Sequence, residues 1–218
     1  MKSSLLLMWL VCVGSLSWLG CAQVQPGETA PPTPASSLAA PISIVTGAAS
    51  DSRVDFVIAG GFDGARPVTL TIAQPTLRMH TTTSGAALDA LSLPLGDVDV
   101  PASALPPTGL ALRQLSLSAD PTRAEIVDAG DDTLTLRATT PLTLHWSLQL
   151  ADGTLYPLGA VATAPLALDV QIARIDGATT ATATVTASCA GTCWSVAGIA
   201  TLSDGAVYLA AAADVTAE

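Results

Sequence analysis

The residue pattern predicts an all-β protein: an antiparallel sandwich or partly closed barrel, built from hairpins and a C-terminal meander, with minimal helix. Three observations carry this. First, large apolar side chains recur at every second position. In Pro141–Leu158 the residues Leu142, Leu144, Trp146, Leu148 and Leu150 alternate with Thr143, His145, Ser147 and Gln149, which places one set on each face of an extended strand. Second, turn dipeptides punctuate these runs at Asp152-Gly153, Asp176-Gly177 and Asp204-Gly205. Asp-Gly suits the positive φ values of a two-residue hairpin loop. Third, no long stretch has the 3.6-residue period that crossover helices of a parallel sheet require.

The chain divides into three parts. Residues 1–20, MKSSLLLMWLVCVGSLSWLG, carry one positive charge, then an apolar run from Leu5 to Val13, then small residues. That is the composition of a secretory signal peptide, and the run is well short of the ~20 residues a spanning helix needs. Residues 21–41 are rich in Pro, Ala, Ser and Thr, a composition that buries too little to order itself and reads as a semi-stiff tether. Residues 42–218 form the β domain, long enough to bury a sizeable core without a metal or a disulfide framework.

Within that domain Ile42–Thr46 is the first expected strand. Val54, Phe56 and Ile58, then Val68, Leu70 and Ile72, mark a pair of strands around the glycine-rich Ala59–Ala65. This loop lacks the Gly-Lys-Ser/Thr ending of a phosphate loop and leads into a strand, so it reads as a hairpin connection. Thr76–Thr83 is a further strand, and Ala86–Leu91 is the one place where a short helix is compatible with the pattern. Asp97–Leu110 holds Pro101, Pro106 and Pro107 and reads as an irregular connection or an edge strand. Leu110 and Leu112 alternate, then Leu115 and Leu117 resume one residue out of step, which predicts a β-bulge near Arg113-Gln114. Arg123–Val127 and Thr133–Ala138 pair around Ala129–Asp132. The final third, counted as a meander of about six strands, runs through Leu166–Ile172, Ala178–Ser188, Trp194–Leu202 and Ala206–Asp214. Trp146-Ser147 and Trp194-Ser195 each precede an Asp-Gly and a Tyr, an echo that either duplication or convergence on good turn chemistry would give.

Charge narrows the function classes. Eight Lys and Arg face eighteen Asp and Glu, for a net charge of −10. No basic stripe exists to neutralise phosphates, so nucleic-acid binding is not expected. Anionic headgroups would repel such a chain, and anything holding it at a membrane must be covalent or apolar.

Few residues carry candidate chemistry. Cys189 and Cys193 read as a disulfide clamping a strand junction, since two cysteines in an exported chain pair. A redox pair has a shorter spacing and a helix N-terminus. His80 and His145 are the two histidines of the chain. With Asp169 they could form a zinc site only by a coincidence of folding, and neither a Gly-x-Ser-x-Gly elbow nor a His-Glu-x-x-His is present. The acidic groups are Asp97-Val98-Asp99 and Asp128–Asp132. The second is eligible for calcium but lacks the length and terminal Glu of an EF-hand loop, and reads first as a solvated turn. The aromatic set of Phe56, Phe62, Trp146, Tyr156, Trp194 and Tyr208 is too small for the girdles of a membrane barrel.

Ser17-Trp18-Leu19-Gly20-Cys21 resembles the lipobox of bacterial lipoproteins, with Gly20 before a cysteine, although Trp18 and Leu19 differ from the family's usual leucine and small residue. The resemblance implies lipidation of Cys21, which becomes the mature N-terminus, and a location in the cell envelope, at the bacterial outer membrane. Ordinary cleavage around Gly20-Cys21-Ala22, releasing a soluble protein, is the alternative. The functional expectation is a non-catalytic structural or protein-interaction module, held at the membrane by its lipid and meeting another envelope protein. The runner-up is a carrier for a lipid or other apolar ligand in a β cavity. A hydrolase would need a cleft where His80 or His145 meets a Ser, Cys or Asp. No cofactor is expected.

Overall fold

The computed structural model describes residues 42–60, 64–100, 110–174, 180–196 and 198–217. The leader, Cys21 and the tether lie outside them, as do Phe62, Pro101, Pro106, Pro107 and Asp176-Gly177. The described residues form twelve strands: β1 (Ile42–Ala59), β2 (Ala65–Thr71), β3 (Thr76–Thr82), β4 (Gly85–Asp99), β5 (Ala111–Ala119), β6 (Thr122–Ala129), β7 (Thr133–Thr140), β8 (Thr143–Gln149), β9 (Leu155–Ala162), β10 (Leu166–Arg174), β11 (Thr180–Val196) and β12 (Ala200–Ala217). Every pairing is antiparallel, and no helix occurs among the described residues. The all-β expectation holds.

The domain has two differently built ends. At one end β1, β3, β4, β6, β7, β10, β11 and β12 close a ring of hydrogen bonds, the junction of β1 with β3 running through Ser43–Val45 and Arg78–His80. At the other end the ring opens into two sheets, β2-β1-β12-β11 and β4-β5-β8-β9. Sandwich and partly closed barrel are therefore both present, one at each end.

Prolines mark where one end passes into the other. The chain crosses from β2 to β3 through Pro75, from β5 to β6 through Pro121, from β7 to β8 through Pro141, and from β9 to β10 through Pro165. None of these is a hairpin: Ala119 and Thr122 face Leu91 and Leu88 on the same β4. Proline has no N–H to continue a ladder, so each long run kinks there while both halves stay against the same neighbour, β5 and β6 against β4 and β2 and β3 against β1. The expected C-terminal meander is present as β10-β11-β12, three strands where about six are expected. The β10-β11-β12 series is consecutive, but β10 pairs back to β7, and β9 continues the line of β10 instead of lying beside it.

Hydroxyls repair the ladder at these crossings. Ser52 Oγ donates to the Ala210 carbonyl at 2.9 Å and accepts from the Ala210 N–H at 3.0 Å. Leu142 N donates to Thr163 Oγ1 at 3.0 Å, while Thr163 N donates to the Leu142 carbonyl at 3.0 Å. Thr46 Oγ1 accepts from Leu77 N and donates to the Pro75 carbonyl. Ser52 and Thr163 belong to a short set of buried polar residues, as expected if buried polar groups persist only where they satisfy the backbone.

The described apolar side chains share one buried cluster that runs through both ends. Leu88, Leu134, Leu136, Val170, Ile172, Ala183, Val185, Leu209 and Ala211 are fully buried in one cluster with Leu93, Leu112 and Leu117 of the split end. The hollows around Ala59, Gly198 and Ile199, and around His80, Thr82 and Arg123, open outward.

Three local expectations change. Ala86–Leu91 is strand, within β4. Ala86 and Leu88 point inward, Asp89 is an extra residue opposite the Arg78–Met79 step, and Leu91 and Leu93 resume the inward row. That bulge breaks the period of two and made the segment compatible with a helix. Asp152-Gly153 is a turn, but a three-residue one: Gly153 N donates to the Leu150 carbonyl, Leu150 N to the Thr154 carbonyl, and only the glycine of the pair has positive φ. Asp204-Gly205 is no turn at all and lies inside β12. The bulge expected near Arg113-Gln114 is present, with Gln114 at φ 55° and a register shift from Arg113 to Ser116.

Candidate functional site

Cys189 and Cys193 are joined by a disulfide with 5.9 Å between their Cα atoms. It closes a bulge in β11, where the register slips between Cys189 and Trp194. Gly191 crosses the bulge at φ 70°, and its N–H donates to Asp204 Oδ1 at 2.8 Å. Asp204 itself has φ 49°, so the bulges of the two strands face each other. Gly205 leaves room for this packing, since a Cβ there would sit 3.1 Å from Trp194 Cζ3 and 3.4 Å from Cys193 Sγ and would push them by a few tenths of an ångström. Trp194 covers this patch, and its indole N–H donates to the Leu142 carbonyl at 3.0 Å, tying β11 to the Pro141 crossing. In the chain-entropy model a loop this small contributes about 2 kcal/mol when bridged. The arrangement is a structural clamp where the split end begins.

Several ionisable groups engage one another on the outer surface. Arg137 on β7 faces Asp169 on β10 in register, bidentate at 2.6 and 3.0 Å. The hydrogen bond from Arg137 holds the Asp169 carboxyl below its usual range, and Asp169 raises Arg137 in turn, with Glu125 opposite on β6 adding to this. Arg113 reaches both Asp97 and Asp99, and donates from Nε to Gln149 at 2.7 Å. Arg66 on β2 donates to the Asp99 carbonyl. Asp152 accepts from Thr154 N at 2.9 Å, which lowers its pKa.

Each histidine meets one residue of the kind a hydrolase would use, His80 an aspartate and His145 a serine, on separate strand pairs. His80 Nδ1 is 2.8 Å from Asp89 on β4, and His145 Nε2 is 2.9 Å from Ser118 on β5. Asp169, the third residue of the coincidental zinc set, is engaged with Arg137. No group of three His, Cys, Asp or Glu that could hold a metal occurs among the described residues. Asp128, Asp131 and Asp132 are exposed at the β6–β7 turn, where Arg174 N donates to the Asp132 carbonyl at 2.8 Å. The Arg137–Asp169 pair escaped sequence reading because both residues merely occupy polar alternate positions, and their meeting depends on register.

One apolar surface also escaped it. Leu155 and Tyr156 on β9 are about half exposed (49% and 48%), and β9 is the terminal strand of its sheet. The alternation in Pro141–Leu158 identified the hairpin and did not reveal that its second strand lacks a cover. Compared with protein-family models, curated proteins and solved structures, the chain matches none of them.

Proposed function

We propose that this chain is a lipid-anchored cell-envelope protein whose β domain is a non-catalytic structural or protein-interaction module. The observation that carries the anchor is Gly20-Cys21, following a leader and preceding a Pro/Ala-rich segment that ends at Pro41. The lipobox resemblance assigns acyl chains to Cys21, and at ~0.8 kcal/mol per buried methylene more than one chain is needed for stable anchoring. A stiff segment of this length reaches roughly 60 Å when extended, enough to hold the domain clear of the headgroups. The continuous apolar cluster formed by the described core residues favours a module that works from its surface over a carrier.

The test is incorporation of labelled palmitate by the full chain in a bacterial host. Label in the membrane fraction, lost in Cys21→Ser, is the expected result. An unlabelled chain released to the soluble fraction overturns the anchor.

A further inference from the structure

We infer that the Cys189–Cys193 bridge is a thiol–disulfide exchange site, opened by a dithiol at Cys189, and that opening it releases the tie between Trp194 and the Leu142 crossing. Exchange at this bond depends neither on Cys21 nor on the reading of the domain as an anchored module.

The two sulfurs sit differently. Cys189 is half-buried and is followed by exposed Ala190, Gly191 and Thr192, whereas Cys193 is 6% exposed. The Gly205 N–H points at Cys193 Sγ from 3.4 Å, and the Cys189 and Gly191 carbonyls lie 3.2 and 3.5 Å from the same sulfur. Cys189 Sγ lies 4.0 Å from the Ala190 carbonyl. In exchange a thiolate must reach one sulfur and expel the other, so access and the fate of the departing sulfur choose the direction. Access selects Cys189. Cys193, once expelled, has an N–H to hold its charge and two carbonyls to accept from its S–H, while burial favours the protonated thiol. The pair is the substrate of exchange and not a redox catalyst, so the short spacing and helix N-terminus of catalytic pairs are not required.

The step balances with a dithiol as reductant. One of its sulfurs, as thiolate, bonds to Cys189 Sγ. The bond between the two cysteines breaks, and its electron pair stays on Cys193, which takes a proton. The second sulfur of the dithiol then attacks the first, and Cys189 departs with the electron pair and takes the other proton. The protein disulfide gains two electrons, and the dithiol leaves oxidised, as a closed disulfide.

What the bridge holds extends beyond the bulge. Trp194 follows Cys193 directly, is 2% exposed, and donates its indole N–H to the Leu142 carbonyl at 3.0 Å. Thr163 N donates to that same carbonyl, and Leu142 N donates to Thr163 Oγ1. The tie therefore joins β11 to the β7–β8 crossing and to the β9–β10 crossing. Across the bulge Asp204 sits at φ 49° opposite Gly191 at φ 70°. A residue with a side chain holds that left-handed conformation only where its surroundings impose it. Without the bridge, the two facing bulges and the Trp194 beside them are free to relax.

Reaction with dithiodipyridine, an uncharged aromatic disulfide, tests the direction in two full-chain variants. Cys193→Ser leaves Cys189, Cys189→Ser leaves Cys193, and both lose the same bridge. Mass analysis of the peptide holding the remaining cysteine is expected to show Cys189 reacting at least about tenfold faster, because access is the difference. Equal rates, or a faster Cys193, overturn the inference. Dithiothreitol on the parent chain supplies a readout that needs neither variant to fold. Reduction without denaturant is expected to speed exchange of the Leu142 and Thr163 amides about tenfold and to leave Leu136 and Val170, in the ring, unchanged. A bridge that resists reduction, unaltered exchange at Leu142 and Thr163, or faster exchange throughout the domain each overturns it. None of these results depends on palmitate at Cys21, so failure of the anchor and failure of the exchange site are read separately.

Discussion

The barrel end and the split end share β1, β4, β11 and β12, yet they solve the edge problem in opposite ways. At the barrel end each strand has a neighbour on both sides, and β1 meets β3 to close the circuit. At the split end four edges appear, guarded individually by Arg66 and Pro67, by Pro94 and two aspartates, by a disulfide, and on β9 by a single proline. The difference follows from the crossings. β3 pairs with β4 and β10 with β11, whereas β2 and β9, on the other side of Pro75 and Pro165, have no second partner strand among the described residues. Closure makes stability a collective property of the ring. Splitting makes it depend on local devices.

Leucine truncation puts the largest strain on this comparison. Leu136→Ala in β7, fully buried in the ring, is expected to cost about 4 kcal/mol, and Leu148→Ala in β8, 8% exposed at the split end, about 2 kcal/mol. Urea unfolding measures both, and equal losses would mean that the two ends are packed alike. Ser52→Ala probes the crossing between them. It removes a hydroxyl that serves both main-chain groups of Ala210, and leaving those groups buried and unpaired is expected to cost about 2 kcal/mol. A negligible loss in the same assay would show that the crossing relaxes without its hydroxyl.

The smallest effect concerns acid. Asp169 lies on the barrel wall with its carboxyl held below the ordinary value of 3.8 by Arg137. Its contribution is therefore complete above that value and disappears as pH falls through the lowered one. Asp169→Asn is expected to be slightly less stable than the parent at neutral pH, and the two stability curves to converge as the pH drops below 3.8. Thermal melts across that range check it, and parallel curves would assign the acid response to other carboxylates.

Much of the fold was legible because the period of two is a local signal. Leu134 and Leu136, Leu168, Val170 and Ile172, and the five apolar residues of Leu142–Leu150 announced their strands without reference to anything distant. The bulge at Gln114 was legible for the same reason, as a slip in phase. What misled was chemistry that serves two geometries. An Asp-Gly pair supplies positive φ equally to a turn and to a bulge, and Asp204-Gly205 is distinguished from Asp152-Gly153 only by what lies across the sheet: Cys189, Cys193 and Trp194 in one case, open solvent in the other. The disulfide could be anticipated from spacing. The Arg137–Asp169 row, the Arg113 contacts with Asp97 and Asp99, and the bare edge of β9 could not, because each is set by strand order, which pairs residues far apart in the chain.

The first described strand and the last are partners along nearly their whole length, from Ile42 against Ala217 to Ala59 against Thr201. A chain emerging from a ribosome cannot complete its wall until the eighteen residues of β12 have arrived. Contacts of such long sequence separation form slowly and leave apolar rows uncovered in the interval. A premature stop anywhere before β12 would therefore leave β1 without its mate and the circuit unfinished.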